Sequence, residues 1–137
     1  MDPISHAAFA LLLTALNGLW VAAWLHWIFG GEIRHWVVRY LFPSKWLGGE
    51  RRDAIKFLSH DEMDMYIATN LSMPAFLRGV MTCPGCMSAH LSYLGLLAFY
   101  AACFLVSSYD LILASLPAFP LVWAGSAFTG RALFSKF

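Results

Sequence analysis

The sequence is poor in charged residues, which make up only 12% of its 137 residues, whereas apolar residues make up 60%. A soluble domain carries about 25% charged and about 45–50% apolar residues. One core formed by a chain of this length cannot bury so much apolar surface, so the excess must face lipid. The few basic residues are interspersed with acidic ones, which argues against nucleic-acid binding.

Familiar catalytic motifs are also missing. The sequence holds no glycine-rich phosphate loop, no His-Glu-x-x-His pair and no serine nucleophile elbow. Acid–base groups gather between His60 and Asp64, but a mixed charge run of this kind is typical of a solvated helix face. The sequence therefore favours a protein that is not an enzyme, and it assigns no catalytic residue.

Three long stretches without charge can cross a bilayer. They cover residues 7–29, 86–106 and 111–128. A helix of about 20 apolar residues spans the hydrocarbon core. The first stretch has no basic segment before it and exceeds the apolar length of a signal peptide, so we expect it to remain as a membrane helix. The prediction is an all-α integral membrane protein with three transmembrane helices, forming a single membrane domain over residues 1–137.

An amphipathic pattern follows the first span directly. Glu32, His35 and Arg39 fall on one helical face, and Trp36, Val37, Tyr40 and Leu41 fall on the other. A helix of this type lies in the headgroup plane with its arginines toward the lipid phosphates. We therefore predict an amphipathic helix at the membrane surface.

Further helix starts follow in the same region. Ser59 and Glu62 have the spacing of a capping box, which predicts a helix that begins near His60. Pro74 suits the first turn of another short helix, one that leads to the cysteine motif. We therefore predict an interfacial helical loop over about residues 32–82.

The basic residues are unevenly distributed. None precedes Arg34, seven lie between Arg34 and Arg78, and two follow the third span. Cytoplasmic loops of membrane proteins carry an excess of Lys and Arg. We therefore expect residues 30–85 and the C-terminus to be cytoplasmic and the N-terminus to be outside, in a bacterial inner membrane.

Polar and small residues inside the spans indicate how the helices pack. Asn17 lies near the middle of the first span, where an amide needs a hydrogen-bond partner on another helix. Small residues recur along the second span (Ser88, Ser92, Gly95, Ala98, Ala102) and along the third (Ala114, Ala118, Ser126, Gly130). Because small residues let membrane helices approach closely, these faces predict helix–helix contacts, within one chain or between chains.

Residue types capable of specific chemistry come together in Cys83-Pro84-Gly85-Cys86, followed by His90. Pro84 suits the first position of a helix with Cys83 as its cap, and Cys83, Cys86 and His90 then share one face. The free amides and the dipole of a helix N-terminus favour a thiolate. Three interpretations stay open: a metal site, a redox-active thiol pair, and a structural helix start in which the cysteines pack as small apolar groups.

A metal site would use Cys83, Cys86 and His90 as three ligands, which suits zinc. His60 is the candidate fourth ligand, and Asp61, Glu62 and His35 are alternatives. Five of the six methionines lie in the same quarter of the chain, and thioether with thiolate would favour Cu(I). Zinc is therefore the predicted ion and copper the alternative. The redox interpretation is weaker, because the chain lacks the βαβ pattern of thioredoxin-like proteins.

The segment Cys83-Pro84-Gly85-Cys86-Met87-Ser88, followed by an apolar helix, resembles a family of small bacterial and phage membrane proteins. That family shows Cys-Pro-aromatic-Cys at the mouth of a membrane helix, with an amphipathic stretch upstream. The likeness covers residues 78–95. It departs at Gly85, where an aromatic residue is usual, and at His90, near where a tryptophan is common. The resemblance implies a membrane location and this placement of the motif, without implying an activity.

Three functions from different classes fit these features. The first is a non-enzymatic membrane protein that acts as an assembly or accessory factor by binding a protein partner or a second copy of itself. The second is a holin-like phage pore, since three spans with this topology resemble one holin class, although only Arg131 and Lys136 stand where holins are strongly basic. The third is a metal- or thiol-dependent membrane enzyme or metal chaperone. The long interfacial region and the missing catalytic set favour the first.

Overall fold

The computed structural model describes residues 2–47, 52–55 and 57–136, with the side chains of all of these except residues 52 and 53. The described residues form helices and include no strand. The α-helices are α1 (Pro3–Gly30), α2 (Ile33–Tyr40), α3 (Arg52–Ile55), α4 (His60–Thr69), α5 (Ala75–Thr82), α6 (Pro84–Leu105), α7 (Tyr109–Ser115) and α8 (Phe119–Phe134), with 3-10 segments at Ser44–Trp46 and Leu116–Ala118. The predicted all-α fold is confirmed.

Three helical stretches are long and apolar enough to cross a membrane: Pro3–Gly30, Pro84–Leu105 and Tyr109–Phe134. They match the three predicted spans, and the chain is an integral membrane protein. The third stretch extends beyond its predicted end and continues through Arg131 to Phe134. An arginine near a helix end can reach the interface with its long side chain, so its charge does not stop the helix.

The chain divides into two compact units. The bundle unit consists of Met1–Trp24 and Ser88–Phe137, and the connecting unit consists of Leu25–Met87. The connecting unit contains α2 to α5 and the whole of the predicted interfacial region, residues 32–82. A single membrane domain over residues 1–137 and a cytoplasmic side for residues 30–85 stay predictions.

Asn17 joins the three spans of the bundle unit through one hydrogen-bonded network. Its Nδ2 donates to the Ser92 carbonyl oxygen at 3.1 Å and to the Ser92 hydroxyl oxygen at 3.2 Å. The Ser92 hydroxyl in turn donates to the Trp123 carbonyl oxygen at 2.8 Å. Asn17 and Ser92 are buried. The prediction that Asn17 bonds to another helix is confirmed, and the network fixes which faces of α1, α6 and α8 meet.

Gly95 marks the closest approach of α6 to α1. A Cβ atom on Gly95 would overlap Oδ1 of Asn17 and would lie 2.7 Å from Cδ1 and 2.8 Å from Nε1 of Trp20. These distances are below any normal contact, so no side chain fits here without moving α1. Gly95 therefore lets the Asn17 amide reach the backbone of α6.

Gly130 has the same role between α8 and α1. A Cβ atom on Gly130 would overlap the Val21 side chain and would lie 2.9 Å from the Gly18 carbonyl oxygen. The predicted small-residue contact is therefore real at this position. Ala98 and Ala102, predicted on the contact face of α6, are exposed instead. Of the predicted small-residue face of α6, Ser88 and Ser92 are thus buried, whereas Ala98 and Ala102 are not.

Two tryptophan side chains add hydrogen bonds to α6. Nε1 of Trp20 donates to the Leu91 carbonyl oxygen at 3.1 Å, and Nε1 of Trp123 donates to the Ala89 carbonyl oxygen at 2.8 Å. A carbonyl oxygen has two lone pairs, so it can accept an indole N–H beside its helical hydrogen bond. Both rings thereby satisfy a donor that has no acceptor in lipid.

The third span is interrupted within its N-terminal half. Helix α7 ends at Ser115, a 3-10 turn covers Leu116–Ala118, and α8 begins at Phe119. Pro117 lacks an N–H and its ring crowds the preceding turn, which explains the interruption. Ser115 turns its hydroxyl to the Leu111 carbonyl oxygen at 3.1 Å, a local bond that also favours bending.

Local signals in the sequence set the helix starts of the connecting unit. Ser59 caps α4, and its side-chain oxygen accepts the Glu62 N–H at 3.2 Å. Pro74 precedes α5. Both predicted starts are confirmed. Ile67 and Val38 are fully buried within this unit, which therefore has an apolar core of its own.

Candidate functional site

The cysteine motif lies where α5 ends and α6 begins. Helix α5 ends at Thr82, Cys83 adopts an extended backbone with φ −112° and ψ 108°, and α6 begins at Pro84. Proline suits this position because its φ is already helical and its missing N–H would have no acceptor within the helix. The predicted helix start, with Cys83 as the cap, is confirmed.

Cys83 caps α6 with its thiol as well as with its backbone. Its carbonyl oxygen accepts the Met87 N–H at 2.9 Å, and its Sγ accepts the Cys86 N–H at 3.3 Å. The sulfur stands where a serine or aspartate oxygen stands in an ordinary N-cap. Because a thiolate accepts hydrogen bonds better than a thiol does, this N–H favours the ionised form of Cys83.

The three cysteines differ in their access to solvent. Cys83 is half-buried and Cys86 is exposed, and neither forms a disulfide. Cys103, near the other end of α6, is buried, so it packs as an apolar residue. Reagents can therefore distinguish the pair at the helix start from Cys103.

The predicted metal ligands lie near the N-termini of two helices, α6 and α4. Cys83 and Cys86 open α6, His90 follows one turn later on the same helix, and His60 is the first residue of α4. Within residues 2–47, 52–55 and 57–136, no group of three or more His, Cys, Asp or Glu side chains is placed to hold a metal ion. The zinc and copper interpretations of these four residues therefore stay predictions from the sequence.

His60 has its ring against that of His35. The ring centroids are 5.3 Å apart and the ring planes are nearly perpendicular, at 84°. Nε2 of His35 lies 2.8 Å from the Leu58 carbonyl oxygen. Because a carbonyl only accepts, this nitrogen carries the proton. Nδ1 of His35 is buried without a hydrogen-bond partner. Two of the histidines considered as the fourth ligand are thus neighbours of each other.

Arg34 is the centre of the connecting unit, and for this residue the prediction that the arginines of the amphipathic helix point toward the lipid phosphates is wrong. Its guanidinium forms an ion pair with Asp64 and donates to the carbonyl oxygens of Met81 at 3.1 Å and His60 at 3.2 Å. The same group lies 5.1 Å from the centre of the Phe29 ring. Arg34 is only 1% exposed. One side chain thus connects the end of α1 with α4 and α5.

A buried guanidinium holds these helices in one arrangement. Removing a charge from water costs several kcal/mol unless partners replace the lost hydration. Asp64 and two carbonyl oxygens do so for Arg34, whereas its Nε–H has no hydrogen-bond partner. If α4 or α5 moved away, this charge would lose the groups that compensate it. The connecting unit is therefore a specific structure and not a loose linker.

The burial pattern of α2 explains why Arg34 was missed. Arg34, Val38 and Phe42 are buried, and they recur at i, i+4 and i+8 on one face. The spacing was visible in the sequence, but an arginine between apolar residues indicates a surface position by default. Trp36 and Tyr40 are exposed. An outward aromatic face is compatible with the predicted place of α2 at the membrane surface.

Comparison with protein-family models, with curated proteins and with solved structures finds no match to this chain.

Proposed function

We propose that the protein is a membrane-anchored accessory or assembly factor. The bundle unit is the anchor, and the connecting unit binds a protein partner, which is another protein or a second copy of this chain. The support is that the connecting unit has an internal structure organised by the buried Arg34. A simple link between two spans needs only a short loop. A connection that folds around a buried ion pair presents a defined surface.

The observation that carries the proposal is the apolar surface of the connecting unit. Leu71 is 83% exposed and Phe57 is 80% exposed, and Met65, Phe76 and Trp36 are exposed as well. Exposed large apolar side chains on a folded unit are candidates for contact with a protein or with a membrane. The proposal assigns Leu71 and Phe57 to protein contact and Trp36 to the membrane surface, because α2 follows the first span after two residues.

Photo-crosslinking tests this assignment. A photoreactive amino acid at Leu71 or Phe57 should give a discrete protein adduct in intact cells. The same probe at Leu121, an exposed residue of α8 within the third span, is the matched control and should give lipid adducts. If Leu71 and Phe57 gave the same lipid adducts as Leu121, the proposal would be wrong.

A tagged and an untagged copy in the same cell separate the two kinds of partner. An adduct that contains both copies identifies a homo-oligomer, and an adduct with one copy identifies a different protein. The adduct should fall at least severalfold in Arg34→Met, because the surface depends on the buried arginine. A partner captured equally by Arg34→Met would not recognise the folded unit, which contradicts the proposal.

We further propose that the connecting unit is cytoplasmic in a bacterial inner membrane. The support is the distribution of basic residues, seven of which lie between Arg34 and Arg78. Cys86 is exposed and can report the orientation. With Cys83 and Cys103 replaced, a membrane-impermeant maleimide should label Cys86 only after the membrane is opened. Labelling on intact cells would reverse the orientation.

The hydrogen bonds made by polar residues within the spans support an anchor rather than the holin-like pore. Asn17 and Ser92 bond to each other, and the hydroxyl groups of Ser115 and Ser126 bond to Tyr100 and to the Thr14 carbonyl oxygen. These groups face helices of the same chain and not an aqueous channel. Expression at high level should therefore leave cells impermeable to a membrane-excluded dye. Dye entry would favour the pore.

A further inference from the structure

The proposed function leaves the segment Cys83-Pro84-Gly85-Cys86 without a role. We propose that Cys83 and Cys86 form a redox-active dithiol that reduces a disulfide bond of a partner molecule, with Cys83 as the attacking thiolate and Cys86 as the resolving thiol. This activity is additional to partner binding by the connecting unit, and it can stand or fail by itself. The argument rests on the backbone at the start of α6, on the capping hydrogen bond and on the different exposure of the three cysteines.

The backbone brings the two cysteines close together. Cys83 is the extended residue before α6, and Cys86 is in its first turn. Cys83 Sγ lies 3.3 Å from the backbone nitrogen of Cys86. A disulfide needs Cα atoms about 4.4–6.8 Å apart and Cβ atoms about 3.5–4.5 Å apart. Because Cys83 lies outside the helix, its backbone can adjust to close a disulfide while α6 stays intact.

The helix start distinguishes the two cysteines chemically. Cys83 Sγ accepts the Cys86 N–H at 3.3 Å, and other amides of the first turn lack intrahelical acceptors. Negative charge at this position is also favoured by the dipole of a helix 22 residues long. Cys86 is the third residue of α6, whereas Cys83 occupies the N-cap position. Cys83 is therefore the thiol that ionises more readily and attacks first.

A dithiol needs fewer suitably placed side chains than a metal site does. Zinc in proteins takes at least three protein ligands, and the part of the chain that the structure describes contains no such group. A dithiol needs two sulfurs and access for a partner. Cys86 is exposed and Cys83 is half-buried, so both can be reached in turn. Buried Cys103 takes no part.

The reaction proceeds in two balanced steps. The Cys83 thiolate attacks one sulfur of the partner disulfide, which forms a mixed disulfide and releases the other partner sulfur as a thiolate that takes up a proton. Cys86 then loses its proton and attacks Cys83, which closes the Cys83–Cys86 disulfide and releases the second partner thiol. The partner disulfide gains two electrons and two protons in total, and the cysteine pair loses them. A further dithiol of the cell must reduce the pair again.

The test uses the full chain in detergent, with Cys103→Ala as background and chelator present. Equilibration with reduced and oxidised glutathione, followed by maleimide labelling, should show two reactive thiols at the reducing end and none at the oxidising end. Dithiothreitol should restore both. Failure to form the disulfide at any glutathione ratio would overturn the proposal.

Single variants test the order of attack. Cys86→Ser should accumulate the mixed disulfide with glutathione, because the resolving thiol is missing. Cys83→Ser should form an adduct about tenfold more slowly, since Cys86 lacks the capping position. Serine is itself a good N-cap, so Cys83→Ser keeps the helix start folded. Equal rates in the two variants would overturn the assignment of Cys83 as the nucleophile.

Elemental analysis of protein purified without chelator decides between the dithiol and the predicted metal site. The dithiol predicts no stoichiometric metal in wild type or in Cys83→Ser/Cys86→Ser. About one zinc or copper per chain, lost in the double variant, would overturn the redox proposal and establish the metal site. Crosslinking from Leu71 in the same double variant separates the two ideas. Because partner binding does not need the cysteines, the adduct should persist in this variant whatever the result on the dithiol, and its loss would contradict the proposed partner binding and not the dithiol.

Discussion

The bundle unit and the connecting unit fix their helices with different kinds of polar group. In the bundle unit, an amide, a hydroxyl and two indole N–H groups bond to backbone carbonyls or to each other, and glycine provides the close approach. In the connecting unit, a buried guanidinium binds a carboxylate and two carbonyl oxygens. The first set is neutral and the second is charged.

The difference follows from what surrounds each unit. Lipid cannot hydrate a polar atom that has no hydrogen-bond partner, so a charged side chain within the spans would be costly. A neutral amide is less costly to bury, and its hydrogen bonds are enough to select which helix faces meet. Asp64, the partner of Arg34, keeps 44% of its side chain exposed. Because part of the carboxylate stays hydrated, the free-energy cost of removing the ion pair from water is lower. Replacing the buried charge should therefore destabilise the connecting unit more than replacing a neutral hydrogen-bonding group destabilises the bundle unit.

Replacing Arg34 should have the largest effect. Arg34→Met removes the ion pair and leaves the Met81 and His60 carbonyls without their donor, at a cost of about 3 kcal/mol to the connecting unit. Limited proteolysis between α2 and α5 should accelerate by at least tenfold, while hydrogen exchange in α6 stays unchanged.

The matched control is Arg39→Met on the same helix. Arg39 is half-buried and lies over the Tyr40 ring, so its loss should cost below about 1 kcal/mol. Equal proteolysis of the two variants would remove Arg34 from the centre of the unit.

A single methyl group at Gly95 should have the next largest effect. Gly95→Ala forces a Cβ onto Asn17 and the Trp20 ring and should destabilise the bundle unit by about 1–3 kcal/mol. Thermal unfolding in detergent, followed by tryptophan fluorescence, measures it. Gly79→Ala in α5 is the control, because nothing lies within 4 Å of its Cβ position. Alanine there should stabilise its helix by about 0.5–1 kcal/mol. An unchanged melting temperature for Gly95→Ala would mean that α1 and α6 are not in close contact.

Loss of the Asn17 amide should matter less than loss of Arg34. Hydrogen bonds between membrane helices contribute about 0.6 kcal/mol each, so Asn17→Ala should cost about 1 kcal/mol. A double-mutant cycle with Ser92→Ala should return a coupling free energy of about 0.6 kcal/mol. A cost for Asn17→Ala as great as that for Arg34→Met would contradict the contrast between the two units.

The smallest effect concerns the N-terminal cap of α1. Hydrogen bonds from Ser5, including its N–H to Asp2 Oδ1 at 2.7 Å, hold the pKa of the Asp2 carboxyl below its ordinary value of 3.8. Because the folded pKa is the lower one, the cap contributes fully above pH 3.8 and is lost as the pH falls through the folded value. The Ser5 amide resonance should report this titration, and Asp2→Asn should remove it. A midpoint at or above 3.8 would show that the cap is absent.

The spans and the local caps could be predicted because each depends on neighbouring residues. A charge-free stretch of about 20 residues is visible without knowledge of its contacts. Ser59 and Pro84 set helix starts through groups within one turn. The sequence also showed that Asn17 needs a partner, but not that the partner is Ser92, because many polar and small positions on the other spans could have met it.

Arg34 could not be predicted because its partners lie far along the chain. The Asp64 carboxylate and the Met81 carbonyl follow it by 30 and 47 residues. Similarly, the spacing of the cysteines predicted the helix start, whereas the Cys86 N–H on the Cys83 sulfur depends on the backbone torsion at Cys83. The local pattern thus located the candidate site, and tertiary contacts fixed the helices that precede it.

The short turn between α6 and α7 has a consequence for biosynthesis. Asp110 is the sole charged residue between Arg78 and Arg131, so α6, the turn and the third span form a nearly uncharged hairpin. When the chain enters a bilayer, either this turn or the connection between α1 and α6 must be translocated. The latter contains seven Lys and Arg residues, and each would add a large barrier. The hairpin can be inserted as one piece with its turn leading, because the turn carries a single charge.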